Sequence, residues 1–140
     1  MKTIEDGRFE VKDGKPGTGK GLFTRDTISK GSFVIEYTGI HIPTKEADEH
    51  RGRYLFQLDD EWTIDGEASH GVAKYINHSC EPNMEARIKK GADAVNHIMM
   101  YALRSIGKGE ELTLDYGDEY FNDFIRPVGC KCGSKNCRSK

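Results

Sequence analysis

Apolar residues come in short alternating runs along the chain rather than in long helical stripes. Alternation with a period of two marks half-buried strands. It predicts strands over Phe9–Lys12, Leu22–Arg25, Phe33–Tyr37, Arg53–Leu58, Glu61–Ile64, Met84–Lys89, Val95–Leu103 and Glu111–Leu114. Glycines punctuate these runs, among them Gly14, Gly31, Gly39, Gly66, Gly91 and Gly109, and short helices are predicted over Thr44–His50 and Ser69–Ile76. The pattern is that of a mainly β, turn-rich fold without repeats or low-complexity linkers. Val95–Leu103 carries apolar residues on both faces, the signature of a strand crossing the core rather than lining an edge. Within it, Met99 and Met100 read as packing residues in preference to a soft-metal or peptide surface.

A length of 140 residues allows one domain, and that domain is large enough for a single core. With 36% hydrophobic and 31% charged residues, the composition excludes collagen-like, mucin-like and largely disordered polymers. Lys and Arg number 21 against 23 Asp and Glu, a formal charge of -2. No global positive field exists, so no direct nucleic-acid binding is expected and any basic attraction must be local. No run approaches the roughly 18 apolar residues of a membrane span. Met1-Lys2-Thr3 leads into Glu5-Asp6-Gly7 rather than a signal-peptide core. An intracellular location is therefore expected, cytoplasmic or chromatin-associated according to the host, with no membrane partner. Charge is uneven along the chain. Glu110, Glu111, Asp115, Asp118, Glu119 and Asp123 form an acidic run, followed by a basic tail of Arg126, Lys131, Lys135, Arg138 and Lys140. Such acids can steer a lysine-rich peptide, although a solvated turn is the plainer reading of any one of them.

Four cysteines change the picture: Cys80, Cys130, Cys132 and Cys137. The last three have the spacing of thiolate ligands, and Cys80 can complete a tetrahedral zinc site from far upstream. Four protein ligands would close the coordination sphere, making the metal structural and unsuited to hydrolysis. Unligated thiols and disulfide or redox chemistry are the competing readings. The histidines offer no compact catalytic-metal spacing; His70, His78 and His97 read as structural, and His41 and His50 as exposed. Ser79, His78 and Asp115 lack a nucleophile elbow. Gly17-Thr18-Gly19-Lys20-Gly21 permits close backbone approach to a ligand, yet it is neither a Walker sequence nor a dinucleotide fingerprint.

Two segments are less generic: Tyr75-Ile76-Asn77-His78-Ser79-Cys80-Glu81-Pro82-Asn83 and Glu110-Glu111-Leu112-Thr113-Leu114-Asp115-Tyr116-Gly117. Asn77 and Asn83 can organise a polar turn through side-chain to backbone hydrogen bonds, and Pro82 restricts its exit. With Gly19-Lys20-Gly21, Glu36-Tyr37-Thr38-Gly39, Tyr54 to Asp59, Ile64-Asp65-Gly66 and the cysteine tail in order, the chain resembles SET-domain protein-lysine methyltransferases with a post-SET zinc-binding tail, over about residues 8 to 138.

The resemblance implies short twisted sheets with a C-terminal knot-like crossing, a catalytic domain over residues 1–125 and a packed tail over 126–140. It implies S-adenosylmethionine as methyl donor, held by Gly19, Lys20, Gly21, Asn77 and His78, with Arg138 at the tail side and Tyr116 at the transfer centre. Tyr54, Tyr37 and Leu114 would line the channel for the substrate lysine, with Tyr101 as a further candidate wall and Asp65 and Asp115 bracing loops. One structural Zn2+ would sit on Cys80, Cys130, Cys132 and Cys137. The implied partner is a lysine-containing protein or peptide, with histone, histone-like and ribosomal proteins as candidates and a monomer or homodimer as the acting species. The family commonly has Phe or Tyr at the position of Leu114 and an acid at that of Ile40, and the cysteine-rich segment that precedes the domain in several histone methyltransferases is not expected here. A catalytically inactive peptide-binding module of the same fold is the alternative.

Overall fold

The computed structural model describes residues 8–14, 19–50, 55–67, 71–92, 94–116 and 130, the side chains of Asp48 and His50 excepted. These residues form four small sheets, two of two strands and two of three. Strands β1 (Phe9–Asp13) and β2 (Lys20–Thr24) make an antiparallel hairpin, with Phe9 opposite Thr24 and Asp13 opposite Lys20. In β1 only Phe9 is buried, whereas β2 seals Leu22 completely. The hairpin therefore joins the core through its second strand.

β3 (Phe33–Tyr37) leads to β4 (Ile40–Pro43), α1 (Thr44–His50), β5 (Leu55–Gln57) and β6 (Trp62–Asp65), and β6 lies between β4 and β5. A short 3-10 turn at Ala73–Tyr75 precedes β7 (Asn77–His78). β8 (Met84–Lys90) and β9 (Asn96–Ala102) form a hairpin, and β9 is the central strand between β3 and β8. β10 (Thr113–Leu114) pairs in parallel with β7. Leu22, Val34, Ile64, Met84, Ile98, Met100, Ile106 and Leu112 are all no more than 1% exposed and tie these sheets into one core. Each such aliphatic side chain contributes about 1.5–3 kcal/mol by leaving water.

Phe33–Tyr37 and Thr44–His50 coincide with their predicted spans. The run from Val95 is a central strand as expected, but its faces differ. Ile98, Met100 and Ala102 are sealed, while His97, Met99 and Tyr101 are only partly covered on the opposite face. Met100 thus packs in the core and Met99 does not. β4 escaped the periodicity because it is short and ends on Pro43, tolerable since β4 is an edge strand. β7 escaped because two residues carry no period at all. The helix expected over Ser69–Ile76 is only the 3-10 turn among the described residues. The knot-like crossing, the tail domain and their boundary depend on residues outside those described.

Candidate active site and metal cluster

The parallel pairing of β7 with β10 sets Thr113 beside Asn77 and Leu114 beside His78. It joins two segments far apart in sequence, and the Ser79 N–H extends the contact by donating to the Leu114 carbonyl at 3.0 Å. A reciprocal set of bonds locks the far end. Asn83 N–H donates to Thr113 Oγ1 at 3.1 Å, Thr113 N–H donates to Asn83 Oδ1 at 2.9 Å, and Asn83 Nδ2 donates to the Glu111 carbonyl at 2.9 Å. Asn83 is 3% exposed, so these bonds satisfy groups that water does not reach. Ser79 Oγ accepts the Glu81 N–H at 3.0 Å and caps the intervening turn; it is not poised as a nucleophile.

Tyr116 follows β10 and is held at both ends. Its backbone N–H donates to His78 Nδ1 at 3.0 Å, its hydroxyl donates to the Ile76 carbonyl, and its ring meets the His78 ring edge-on with centroids 5.4 Å apart. At 36% exposure it is anchored yet reachable. Because Nδ1 of His78 accepts, the neutral ring carries its proton on Nε2. That nitrogen lies 3.5 Å from Cys80 Sγ.

Candidate ligand atoms of His78, Cys80 and Cys130 lie within 4.8 Å of one another. Two neighbouring thiols are ligands suited to zinc, so they fit part of a structural metal site. The cluster brings together Cys80 and Cys130 as expected and sets His78 beside them, where its Nε2–H faces the Cys80 sulfur as a hydrogen-bond donor. Cys80 and Cys130 are not joined in a disulfide. Cys132, Cys137 and Arg138 lie outside the described residues.

On the opposite side of β7, Asn77 Nδ2 donates to the Lys20 carbonyl at 3.0 Å and to Glu111 Oε2 at 2.9 Å. A Cβ on Gly21 would collide with the Glu111 carboxylate and come within 3.2 Å of Asn77 Nδ2, so a side chain here would push that carboxylate off Asn77. Gly19 adopts a φ of 74°, a left-handed turn residue. The Lys20 side chain turns to Asp13, Nζ to Oδ1 2.9 Å. Their hydrogen bond and attraction raise the Lys20 pKa above its ordinary value and lower that of Asp13. Lys20 thus presents its backbone to the site.

Among the channel candidates, Leu114 and Tyr37 are buried. Tyr37 packs on Phe56 at 5.3 Å between centroids, and its hydroxyl lies 2.9 Å from where a Cβ on Gly66 would stand. Tyr101 packs edge-on against Phe33, with Arg87 and Lys89 over its ring. Tyr54 lies outside the described residues. Asp65 braces its loop by accepting the Glu67 N–H at 2.9 Å. His41 is not freely exposed: its Nε2 bonds the Asn96 carbonyl at 2.9 Å. His97 Nδ1 pairs with Glu36 at 2.9 Å. Two members of the acidic run, Glu110 and Glu111, are engaged locally, with Arg104 and Asn77 respectively.

A SET domain matches residues 19–117, and the chain belongs to the SET-domain family. Its relatives define the likeness more narrowly. It is 39% identical over 127 residues to the "Histone-lysine N-methyltransferase, H3 lysine-4 specific" of Aspergillus fumigatus, covering 84% of this chain and 10% of that protein. It is likewise 39% identical over 128 residues to human "Histone-lysine N-methyltransferase 2B", covering 86% of this chain and 5% of that protein. The chain therefore spans a small part of the curated relatives it matches. A chain of a humanized mutant of the Chaetomium thermophilum Polycomb Repressive Complex 2, solved with a bound inhibitor, superposes with a TM-score of 0.71 at 33% identity, covering 79% of this chain and 15% of the other.

Proposed function

We propose that the chain transfers methyl groups from S-adenosylmethionine to the side-chain amine of a lysine in a protein substrate. The observation that carries this reading is the β7–β10 pairing, which holds Asn77, His78 and Tyr116 in one site. The donor, when bound, supplies an electrophilic methyl group on a sulfonium. Gly19, Lys20, Gly21, Asn77 and His78 would hold it, with Arg138 from the tail; the bare Gly21 and the backbone-facing Lys20 suit close approach.

A lysine amine is mostly protonated at neutral pH, and desolvation in a narrow channel favours the neutral form. Tyr54, Tyr37 and Leu114 would form that channel. The amine then attacks in line: a C–N bond forms as the C–S bond breaks, S-adenosylhomocysteine leaves, and solvent takes the amine proton. Tyr116 donates its hydroxyl hydrogen to the Ile76 carbonyl, so its oxygen lone pairs face outward as acceptors for the amine N–H. Its contribution is orientation rather than proton removal. Cys80 and Cys130 with Cys132 and Cys137 would bind one structural Zn2+, to whose Cys80 sulfur His78 lends its Nε2–H. A histone is the leading substrate class, on the names of the relatives, and would place the protein at chromatin.

Incubation with labelled S-adenosylmethionine and a lysine-rich protein mixture, read by mass spectrometry, tests the reading. Methyl-lysine should form, and Tyr116→Phe should lower the rate on the order of a hundredfold. Peptide binding by zinc-loaded protein without any methyl incorporation would instead support an inactive binding module. Metal analysis should find about one zinc per chain.

A further inference from the structure

The two three-stranded sheets meet at a corner. β3 runs beside β9 only as far as the pairing of Tyr37 with Ile98, then turns through Thr38 and Gly39 into β4 of the second sheet. A Cβ on Gly39 would collide with the Asp65 carbonyl, so the corner is tight, and beside it Ile64 of β6 is sealed in the core. Phe56 stands on β5, the edge strand on the other side of β6, and its ring packs against Tyr37. A tilt of the second sheet about the corner therefore moves the support of Tyr37.

Polar groups with no part in the donor site resist that tilt. The Asn96 carbonyl, at the start of β9, lies beyond the last pairing with β3, and His41 of β4 takes it, Nε2 donating at 2.9 Å. The His41 ring stands edge-on to that of His97, centroids 6.2 Å apart, and His97 Nδ1 donates to the Glu36 carboxylate of β3 at 2.9 Å. The Asn96 side chain reaches the turn between β5 and β6 and hydrogen-bonds the Asp59 carboxylate. That carboxylate also accepts the Trp62 N–H at 2.7 Å and the Glu61 N–H at 2.9 Å. Trp62 and Glu61, with Asn96 after them, hold the Asp59 carboxyl below its ordinary pKa. The same turn is tied to α1, since Thr44 Oγ1 donates to the Asp59 carbonyl at 3.0 Å and the Thr44 N–H to the Glu61 carbonyl at 2.8 Å. Asn96 thus grips the second sheet twice, by its backbone at β4 and by its side chain at the β5–β6 turn.

We propose that Asn96, with His41, is a positioning residue that holds the β4–β6–β5 sheet on β9, so that Phe56 keeps Tyr37 in place as a wall of the channel for the substrate lysine. This rests on the channel reading given above. The hydrogen bonds of Asn96 and His41 join the two sheets, whereas the donor residues stand on β2 and β7. Loosening the grip is therefore felt by lysine transfer and not by donor binding.

Asn96→Asp sets a second carboxylate against Asp59 and breaks the side-chain grip; combining it with Asp59→Asn restores the pair with amide and carboxylate exchanged. His41→Phe keeps a ring and removes the N–H. Two measurements separate positioning from general damage: methyl transfer from labelled S-adenosylmethionine to the lysine-rich protein mixture, and the nuclear Overhauser contact between the Tyr37 and Phe56 rings. Asn96→Asp and His41→Phe should each lower the transfer rate about three- to tenfold and weaken the ring contact, with S-adenosylhomocysteine affinity by calorimetry changed less than about twofold. The exchanged pair should return the rate to within about twofold of wild type. An unchanged rate or ring contact in both single variants, an equal loss of S-adenosylhomocysteine affinity, or a folded exchanged pair without recovery overturns the positioning role. If circular dichroism shows Asn96→Asp unfolded, His41→Phe and the exchanged pair carry the same comparison. Wild-type protein that shows the ring contact and binds S-adenosylhomocysteine yet methylates no lysine would overturn the channel reading instead; the ring contact in the variants then decides whether Asn96 and His41 hold the sheet.

Discussion

Where Asn83 meets Thr113, polar side chains are enclosed and bond mainly to backbone; around the rim they are exposed and bond mainly to one another. Asn83 shows the first regime, with four bonds to residues 111 and 113 from a nearly inaccessible position. Asp13–Lys20 and Arg104–Glu110 show the second, their side chains 40% or more exposed. Chemically similar contacts thus carry different consequences. Removing an enclosed partner leaves a backbone group that water cannot reach, whereas an exposed ion pair is replaced by hydration. The enclosed set therefore determines how the two motifs meet, and the rim leaves that geometry unchanged.

The largest effect should come from Asn83→Ala. It strips the Thr113 N–H and the Glu111 carbonyl of their partners, at about 1–3 kcal/mol each, for a total near 3 kcal/mol. Urea unfolding should show the midpoint falling with the slope unchanged. A loss below about 1 kcal/mol would mean that water replaces the amide, and the contrast between the regions would collapse.

Gly21→Ala should act next, and on binding more than on folding. The new methyl collides with Glu111 and crowds Asn77, so those side chains must shift away from the arrangement that faces the donor. We expect about tenfold weaker binding of S-adenosylhomocysteine by calorimetry, with the unfolding midpoint moved by less than about 1 kcal/mol equivalent. Equal damage to stability would show that the contact is part of the folding core rather than of the site.

The enclosed region was partly legible from sequence because its residue types are unusual for an interior. Asn77, His78 and Asn83 stand out as amides and an imidazole close behind apolar Ile76, but Asn83 bonds the Glu111 and Thr113 backbone of a distant segment rather than closing the local polar turn expected of it. Cys80 and Cys130 were legible for the same reason, as soft ligands with no other evident use. Glu111 was not, because nothing in an acidic run distinguishes a residue aimed inward from its neighbours; only the bridge to Phe23 singles it out. His41 was misjudged as exposed because it lies in β4, a strand too short to show a period. The strands read best where alternation coincided with one-sided burial, as in Phe33–Tyr37. They read poorly where two residues make the whole ladder, as at Asn77–His78.

The rim should yield the smallest effect, and its pH dependence identifies the cause. Glu110 accepts from Arg104 Nη2 at 3.1 Å and from the Gly107 N–H. The Arg104 hydrogen bond, followed by that of Gly107, holds its carboxyl below the ordinary glutamate value. A carboxyl whose folded-state pKa is depressed stabilises the fold above its unfolded pKa. That contribution disappears as pH falls through the folded-state value. Since the side chain is 40% exposed, screening keeps the effect small. Glu110→Gln should thus cost no more than about 1 kcal/mol near pH 7, and less in added salt. In urea titrations the gap between variant and wild type should close as pH falls through the lowered folded-state value of Glu110, where the wild-type carboxyl is itself protonated. An unchanged gap in acid would assign the stabilisation to the turn closed on Gly107 rather than to charge, and would move Glu110 out of the rim regime into that of Asn83.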